Sequence, residues 1–274
     1  MTHENLNLHS ICTSQEIKTP NNGAILSTYI PDNFEEINPK RTRAAVIICP
    51  GGGYEYTSTR EGEPIALRLN ALGIAAFVLH YSCAPTVFPT ALCELAAAVA
   101  LLKKKTDAWH LDPKNISVMG FSAGGHLAAS LGCLWNSDHV GFPDSSARPD
   151  AMILSYPVIT SNSFGHEQSF KNLLKDEYAS MHQELSLETR VTKETPPAFI
   201  WHTHNDNVVP VENSMLFAMA LREKGVPFEL HIYQPGGHGL STATPETQNS
   251  RGEAVQPECA NWLDMAATWI KNNS

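Results

Sequence analysis

The chain has 274 residues, 42% hydrophobic and 17% charged, a balance that supports a buried core and excludes a largely disordered polypeptide. Nineteen Lys and Arg stand against 28 Asp and Glu, a formal charge of −9, which argues against nucleic acid or an anionic membrane as partner because both require a positive patch. The longest apolar run, Leu95 to Leu102, is far shorter than the roughly 20 residues of a membrane span.

Short apolar runs of strand length alternate along the chain with longer helical patterns. Ala24–Ile30 reads as a first strand. The continuous β-rich run Ala44–Cys49 suits a strand buried on both faces, and it stops at Pro50 and three glycines. Glu63–Leu72 reads as a helix closed by Gly73, and Ile74–Tyr81 as the next strand. Ala91–Lys105 is helical, with Lys103, Lys104 and Lys105 in the last turn where the helix dipole favours cations. Asn115–Met119 is a short strand, Ala123–Leu134 a helix and Ala151–Tyr156 a strand ended by Pro157. From Val158 to Pro197 the pattern turns irregular and polar, with helical pieces near Phe170–Tyr178. Ala198–Thr203 and Phe228–Tyr233 read as strands on either side of the helix Val211–Lys224, and Glu253–Lys271 as a final amphipathic helix. This alternation predicts an α/β fold: a mostly parallel central sheet with helices on both faces. No linker interrupts the series, so residues 1–274 are expected to form one domain, with 158–197 a short cap inserted over one end of the sheet.

The first eighteen residues lack a basic head followed by an apolar stretch, so no secretory signal is expected. The six cysteines, Cys12, Cys49, Cys83, Cys93, Cys133 and Cys259, show no CxxC spacing and mostly lie in apolar segments. They read as buried reduced thiols of a cytoplasmic protein.

Gly120-Phe121-Ser122-Ala123-Gly124 fits GxSxG and sits between a predicted strand and a predicted helix, the sharp turn that such a nucleophile elbow requires. The plain alternative is a helix N-cap serine flanked by turn glycines. A serine hydroxyl needs a base to take its proton, and after such an elbow the partners follow in the order acid, then histidine. Asp206, in the polar loop after Ala198–Thr203, is the best acid. His238, in Gly236-Gly237-His238-Gly239 after Phe228–Tyr233, is the best base. A loop carboxylate and a turn histidine are the respective alternatives. The glycines after Pro50 free backbone N–H groups to face a developing oxyanion. A phosphate-cradling loop would need Gly-Lys-Ser/Thr there, and Tyr54-Glu55 follows instead.

His202-Thr203-His204-Asn205-Asp206 offers a rival reading as the beginning of a dinuclear metal site. The histidine expected next is absent, since Asn207 occupies the position, and this reading leaves the serine elbow and the glycine loop unexplained. No metal and no organic cofactor is therefore expected.

Cys49–Tyr54 (CPGGGY), Arg60–Pro64 (REGEP), Gly120–Leu131, Trp201–Ser214 and Gly236–Leu240 (GGHGL) together resemble the α/β-hydrolase serine esterases related to acetyl esterases and hormone-sensitive lipase. Within these the chain is most similar to bacterial acetylxylan-esterase-like carboxylesterases, over residues 40 to 272. The resemblance implies an α/β-hydrolase fold, a catalytic set of Ser122, Asp206 and His238, and an oxyanion hole of Gly52, Gly53 and Ala123. The broader family has His before its glycines where this chain has Pro50. The substrate implied is a short-chain ester, acetylated sugars among the candidates. A serine peptidase acting on short peptides and a non-catalytic binding module are the alternatives. The oligomeric state stays open, a homo-oligomer included.

Overall fold

The computed structural model describes residues 1–142 and 144–272. In chain order the strands are β1 (Asn5–Asn7), β2 (Ile25–Tyr29), β3 (Arg43–Cys49), β4 (Ala75–His80), β5 (Leu111–Phe121), β6 (Met152–Ser155), β7 (Ala198–Thr203) and β8 (Phe228–Tyr233). The helices are α1 (Leu8–Ser14), α2 (Glu63–Ala71), α3 (Thr90–Lys104), α4 (Thr106–Trp109), α5 (Ala123–Leu134), α6 (Glu167–Leu174), α7 (Tyr178–Met181), α8 (Glu212–Lys224) and α9 (Trp262–Asn272).

The strands form one eight-stranded sheet in the order β1-β2-β4-β3-β5-β6-β7-β8. The β1–β2 and β2–β4 pairs are antiparallel and all others parallel. This is the mostly parallel, helix-covered sheet that the alternating pattern predicts, and the fold that the resemblance to α/β-hydrolases implies. Side chains on a strand alternate between faces, and β3 shows the consequence. Ala45, Ile47 and Cys49 join a core with α1, α3, α5 and α8, while Val46 and Ile48 join a second core with α2 and α9. Both faces of β3 are apolar, so its continuous hydrophobic run carries no period-2 signal.

Three local expectations change. The N-terminal residues carry a strand and a helix, β1 and α1, where no element is predicted. Asn7 caps α1 by accepting the Ser10 N–H at 2.9 Å, and Leu8 and Cys12 bury against the core. Strand β5 is longer than the predicted Asn115–Met119. The final helix begins at Trp262 rather than Glu253, because Pro257 opens only a short 3₁₀ turn (Pro257–Cys259) before it. The segment 158–197 contains α6 and α7 joined by turns.

From β3 the chain moves to β4 on one side, then returns to β5 on the other. Adjacent parallel strands whose following connections diverge leave a crevice beyond their C-terminal ends. The glycine loop after β3 and Ser122 after β5 both lie there, with the loops after β7 and β8 alongside.

Candidate active site

Ser122 links β5 to α5 with φ 53° and ψ −118°, a left-handed conformation that costs a non-glycine residue on the order of 1–3 kcal/mol. The surroundings hold it there. Its N–H donates to Ser155 O at 3.0 Å, and its carbonyl accepts from the N–H groups of His126 and Val158. The glycines of the motif are required by close packing. A Cβ on Gly120 would lie 2.1 Å from Gly124 O, and one on Gly124 would lie 2.1 Å from Cys49 O. The turn is thus wedged against strand β3, and Ser122 sits at its apex.

Ser122 Oγ–H donates to His238 Nε2 at 2.8 Å, and His238 Nδ1–H donates to Asp206 Oδ2 at 2.7 Å. Asp206 is buried. Burial alone would raise its carboxyl, but hydrogen bonds from His202 and His238, the electrostatic attraction of the His238 ring and the Val209 N–H together hold it well below the usual carboxylate range. Its Oδ1 accepts from the N–H groups of Val208 and Val209 at 3.0 and 2.9 Å, which fixes the carboxylate in orientation. The structure therefore brings together Ser122, His238 and Asp206, the three residues singled out as nucleophile, base and acid.

Gly52 and Gly53 line the same cleft as Ser122 and His238, a space of about 350 Å³. Ala123 is fully buried at the start of α5. Among the described residues the N–H groups of Gly52, Gly53 and Ala123 donate to no protein acceptor. The glycine loop is pinned from several sides. Asn172 Nδ2 donates to Gly53 O at 2.8 Å, and Gly51 N–H donates to Glu61 Oε2 at 2.8 Å. Tyr54 is buried, its hydroxyl 2.9 Å from His126 Nδ1. Pro50, where the wider family has His, accepts from the Tyr81 hydroxyl at 2.7 Å.

The HxHxD histidines separate. His202 is fully buried. Its Nε2 faces the Val209 carbonyl at 2.9 Å and Asp206 at 3.3 Å, so it donates, and its Nδ1 accepts from the Ser214 hydroxyl at 2.8 Å. Both nitrogens are engaged with protein, and His202 serves as a second brace for Asp206. His204 lies past the end of β7 and is exposed. Among the described residues no group of three or more His, Cys, Asp or Glu side chains is placed to hold a metal ion.

Several residues around the cleft have no role in the sequence reading. Glu61 and Arg60 fall inside the Arg60–Pro64 motif, yet by spacing alone Glu61 is only an acidic residue near a helix start. His126 is fully buried, and burial pushes its imidazole down to about 4 against the opposing hydrogen bond to Leu185 O. His166, Gln168 and Asn172 bring polar groups to the cleft from segment 158–197. Burial, and then the nearby His238, hold the His166 imidazole below its ordinary value. Only the general polarity of that segment hints at them.

The BD-FAE family model matches residues 28–221. The chain is 31% identical to the acetylxylan esterase of Xylanibacter ruminicola over 226 residues, 80% of this chain and 45% of that protein. It is 39% identical to endo-1,4-beta-xylanase B of Butyrivibrio fibrisolvens, over 80% of this chain and 36% of that protein. The chain thus spans less than half the length of these curated relatives. Among solved structures it resembles the acetyl ester-xyloside bifunctional hydrolase of Caldicellulosiruptor lactoaceticus, with TM-score 0.81, 36% identity and coverage of 98% of this chain and 96% of the other. It also resembles the Lactobacillus plantarum carboxylesterase Cest-2923, with TM-score 0.84, 27% identity and coverage of 99% and 98%. By sequence and by fold, this chain belongs to the BD-FAE family of α/β-hydrolases.

Proposed function

We propose that the protein is a serine carboxylesterase that releases short acyl groups, acetyl foremost, from esters of hydroxyl-rich alcohols such as acetylated sugars. The observation that carries this reading is the hydrogen-bonded series Ser122–His238–Asp206 facing unpaired backbone N–H groups across one cleft. His238 Nε2 takes the Ser122 proton as Oγ attacks the ester carbonyl. The carbonyl oxygen becomes an oxyanion and accepts from the N–H groups of Gly52, Gly53 and Ala123. The imidazolium, steadied by Asp206, gives its proton to the departing alkoxide, and the acyl group stays on Ser122. Water then enters, His238 takes its proton, and the same steps release the acid and restore Ser122.

The substrate class rests on two supports. The relatives include an acetylxylan esterase and an acetyl ester-xyloside hydrolase. The cleft also offers His166, Gln168, Asn172 and Ser58 beside the nucleophile, groups suited to alcohol hydroxyls rather than to an alkyl chain. Segment 158–197 acts as a small cap in this reading, since it supplies three of those four residues. The six unpaired cysteines support a cytoplasmic setting.

The test is labelling with a fluorophosphonate, followed by turnover of acetylated xylose, p-nitrophenyl acetate and an aminoacyl p-nitroanilide. Labelling at Ser122 with acetate release from the first two is expected. Absence of labelling would leave only a binding module, and preferential cleavage of the anilide would make the protein a peptidase.

A further inference from the structure

Glu61 is a carboxylate only 4% exposed, and among the described residues it forms no ion pair. Burying an ionised group without a cation is costly unless its lone pairs are well used, and those of Glu61 are used on both sides of the catalytic cleft. Oε2 accepts the N–H of Gly51, the residue before the oxyanion glycines, at 2.8 Å. Oε1 accepts the Tyr156 hydroxyl at 2.7 Å. The Tyr156 hydroxyl accepts in turn from Ser241 N–H at 2.9 Å, and the Tyr156 ring meets the His238 ring edge-on, with centroids 5.1 Å apart. The neighbouring residue reinforces the same bridge. Arg60 O accepts from Ser241 Oγ at 2.5 Å, and the Arg60 guanidinium donates to Gly239 O at 3.0 Å and Thr247 O at 2.7 Å.

We infer that Glu61 is a positioning residue, which sets the oxyanion turn after β3 and the His238 loop after β8 in register with each other. The inference rests on the esterase reading and extends it to a residue that touches no reacting atom. The two loops leave different strands, with β5, β6 and β7 lying between them in the sheet, so sheet register alone does not fix their separation. Glu61 and Tyr156 span the gap with hydrogen bonds of defined direction. A carboxylate only accepts, and each of its partners donates. Glutamine has the same shape but turns one acceptor into a donor, which then faces either the immovable Gly51 N–H or the Tyr156 hydroxyl.

The experiment measures kcat and KM on p-nitrophenyl acetate, affinity for phenylboronic acid as a tetrahedral-adduct mimic, and thermal unfolding, for wild type and Glu61→Gln. Misplacing reacting groups by a fraction of an ångström to an ångström costs up to ~10²-fold. Glu61→Gln should therefore lose at least ~30-fold in kcat and a similar factor in boronate affinity, with KM within about threefold. A merely structural role would lower the unfolding temperature and leave the kcat and boronate affinity of the folded protein within about threefold, and that result overturns the inference. Should Glu61→Gln fail to fold, Tyr156→Phe removes one hydroxyl from the same bridge. A fall in its kcat and boronate affinity is expected, and unchanged values overturn the inference. A wild-type protein that neither hydrolyses acetate esters nor takes the fluorophosphonate overturns the esterase reading itself, an outcome distinct from an active wild type indifferent to Glu61→Gln.

Discussion

Ser122 and His238 stand 116 residues apart in the chain, yet Ser122 Oγ lies 2.8 Å from His238 Nε2. That contact is the geometric requirement for a serine to act as a nucleophile, because the proton must have somewhere to go as the oxygen attacks. Ser122→Ala should cut ester turnover by at least ~10³-fold while far-UV circular dichroism and unfolding midpoint stay near wild type. Turnover near wild type in a preparation free of host esterases would remove Ser122 from the mechanism.

Asp206 is buried, hydrogen-bonded to His238 and to two backbone N–H groups, whereas Asp264 forms a surface pair with Arg68 at 3.5 Å. Asp206→Asn should lower kcat by roughly 10³–10⁴-fold through loss of imidazole orientation and imidazolium stabilisation. Glu212→Gln and Asp264→Asn, measured side by side, should stay within about threefold of wild type. Comparable effects for all three would mean that the acid lies elsewhere.

Both ring nitrogens of His202 are committed to protein partners, and His204 is exposed beyond the end of β7. Ester hydrolysis should therefore survive prolonged dialysis against EDTA. Inactivation by the chelator with recovery on adding Zn²⁺ would restore the metal-site interpretation of the HxHxD sequence.

The acyl group should be short. The cleft beside Ser122 is about 350 Å³ and rimmed by polar side chains from segment 158–197. Each further CH₂ gains roughly 0.8 kcal/mol only if it meets apolar surface. Across p-nitrophenyl esters, kcat/KM should peak from acetate to butyrate and fall steeply by octanoate. A maximum at octanoate or beyond would reveal an apolar tunnel and remove the physical support for sugar esters.

His126 makes stability depend on pH. Its imidazole is depressed to about 4 by burial, while an unfolded histidine titrates near 6.5. Below pH ~6.5 the unfolded chain binds the proton that the folded chain refuses, so stability falls as pH drops toward 4 and then levels off for this group. The full loss is about 3 kcal/mol. Urea midpoints between pH 7 and 4 should show this decline, and His126→Gln should flatten it while lowering stability at pH 7. A variant with the wild-type pH slope would assign the acid sensitivity to other groups.

The strands β3, β4, β7 and β8 and the helices α2, α3, α5 and α8 are legible because each is a local pattern: a short apolar run, ended by Pro50 after β3, or a helical repeat, closed by Gly73 after α2, by lysines at the end of α3 and by Gly225 after α8. Ser122 is legible for a similar reason. Gly120 and Gly124 are needed for backbone contacts within the turn and against strand β3, so the sequence records the turn in a handful of consecutive positions. His238 and Asp206 follow from their place after strands in the expected chain order. The start of α9 is not legible because the amphipathic pattern runs on through Pro257. Strand β1 is not legible because three residues carry no period, and it exists by pairing with β2.

Glu61, Tyr156 and His126 are different in kind. Each is an ordinary residue within its own segment, and each acquires its role from partners far away in the chain. Glu61 meets Tyr156 across 95 positions, and Tyr54 meets His126 across 72. Local composition dictates which segments become strand, turn or helix, because those choices depend on neighbours along the backbone. Which buried polar groups satisfy one another depends on how the sheet orders its strands, and that order arises from packing both faces at once. The members of the hydrogen-bonded series Ser122–His238–Asp206 are accordingly legible as linear motifs, whereas the frame that holds them emerges only when β3, β5, β6, β7 and β8 lie side by side.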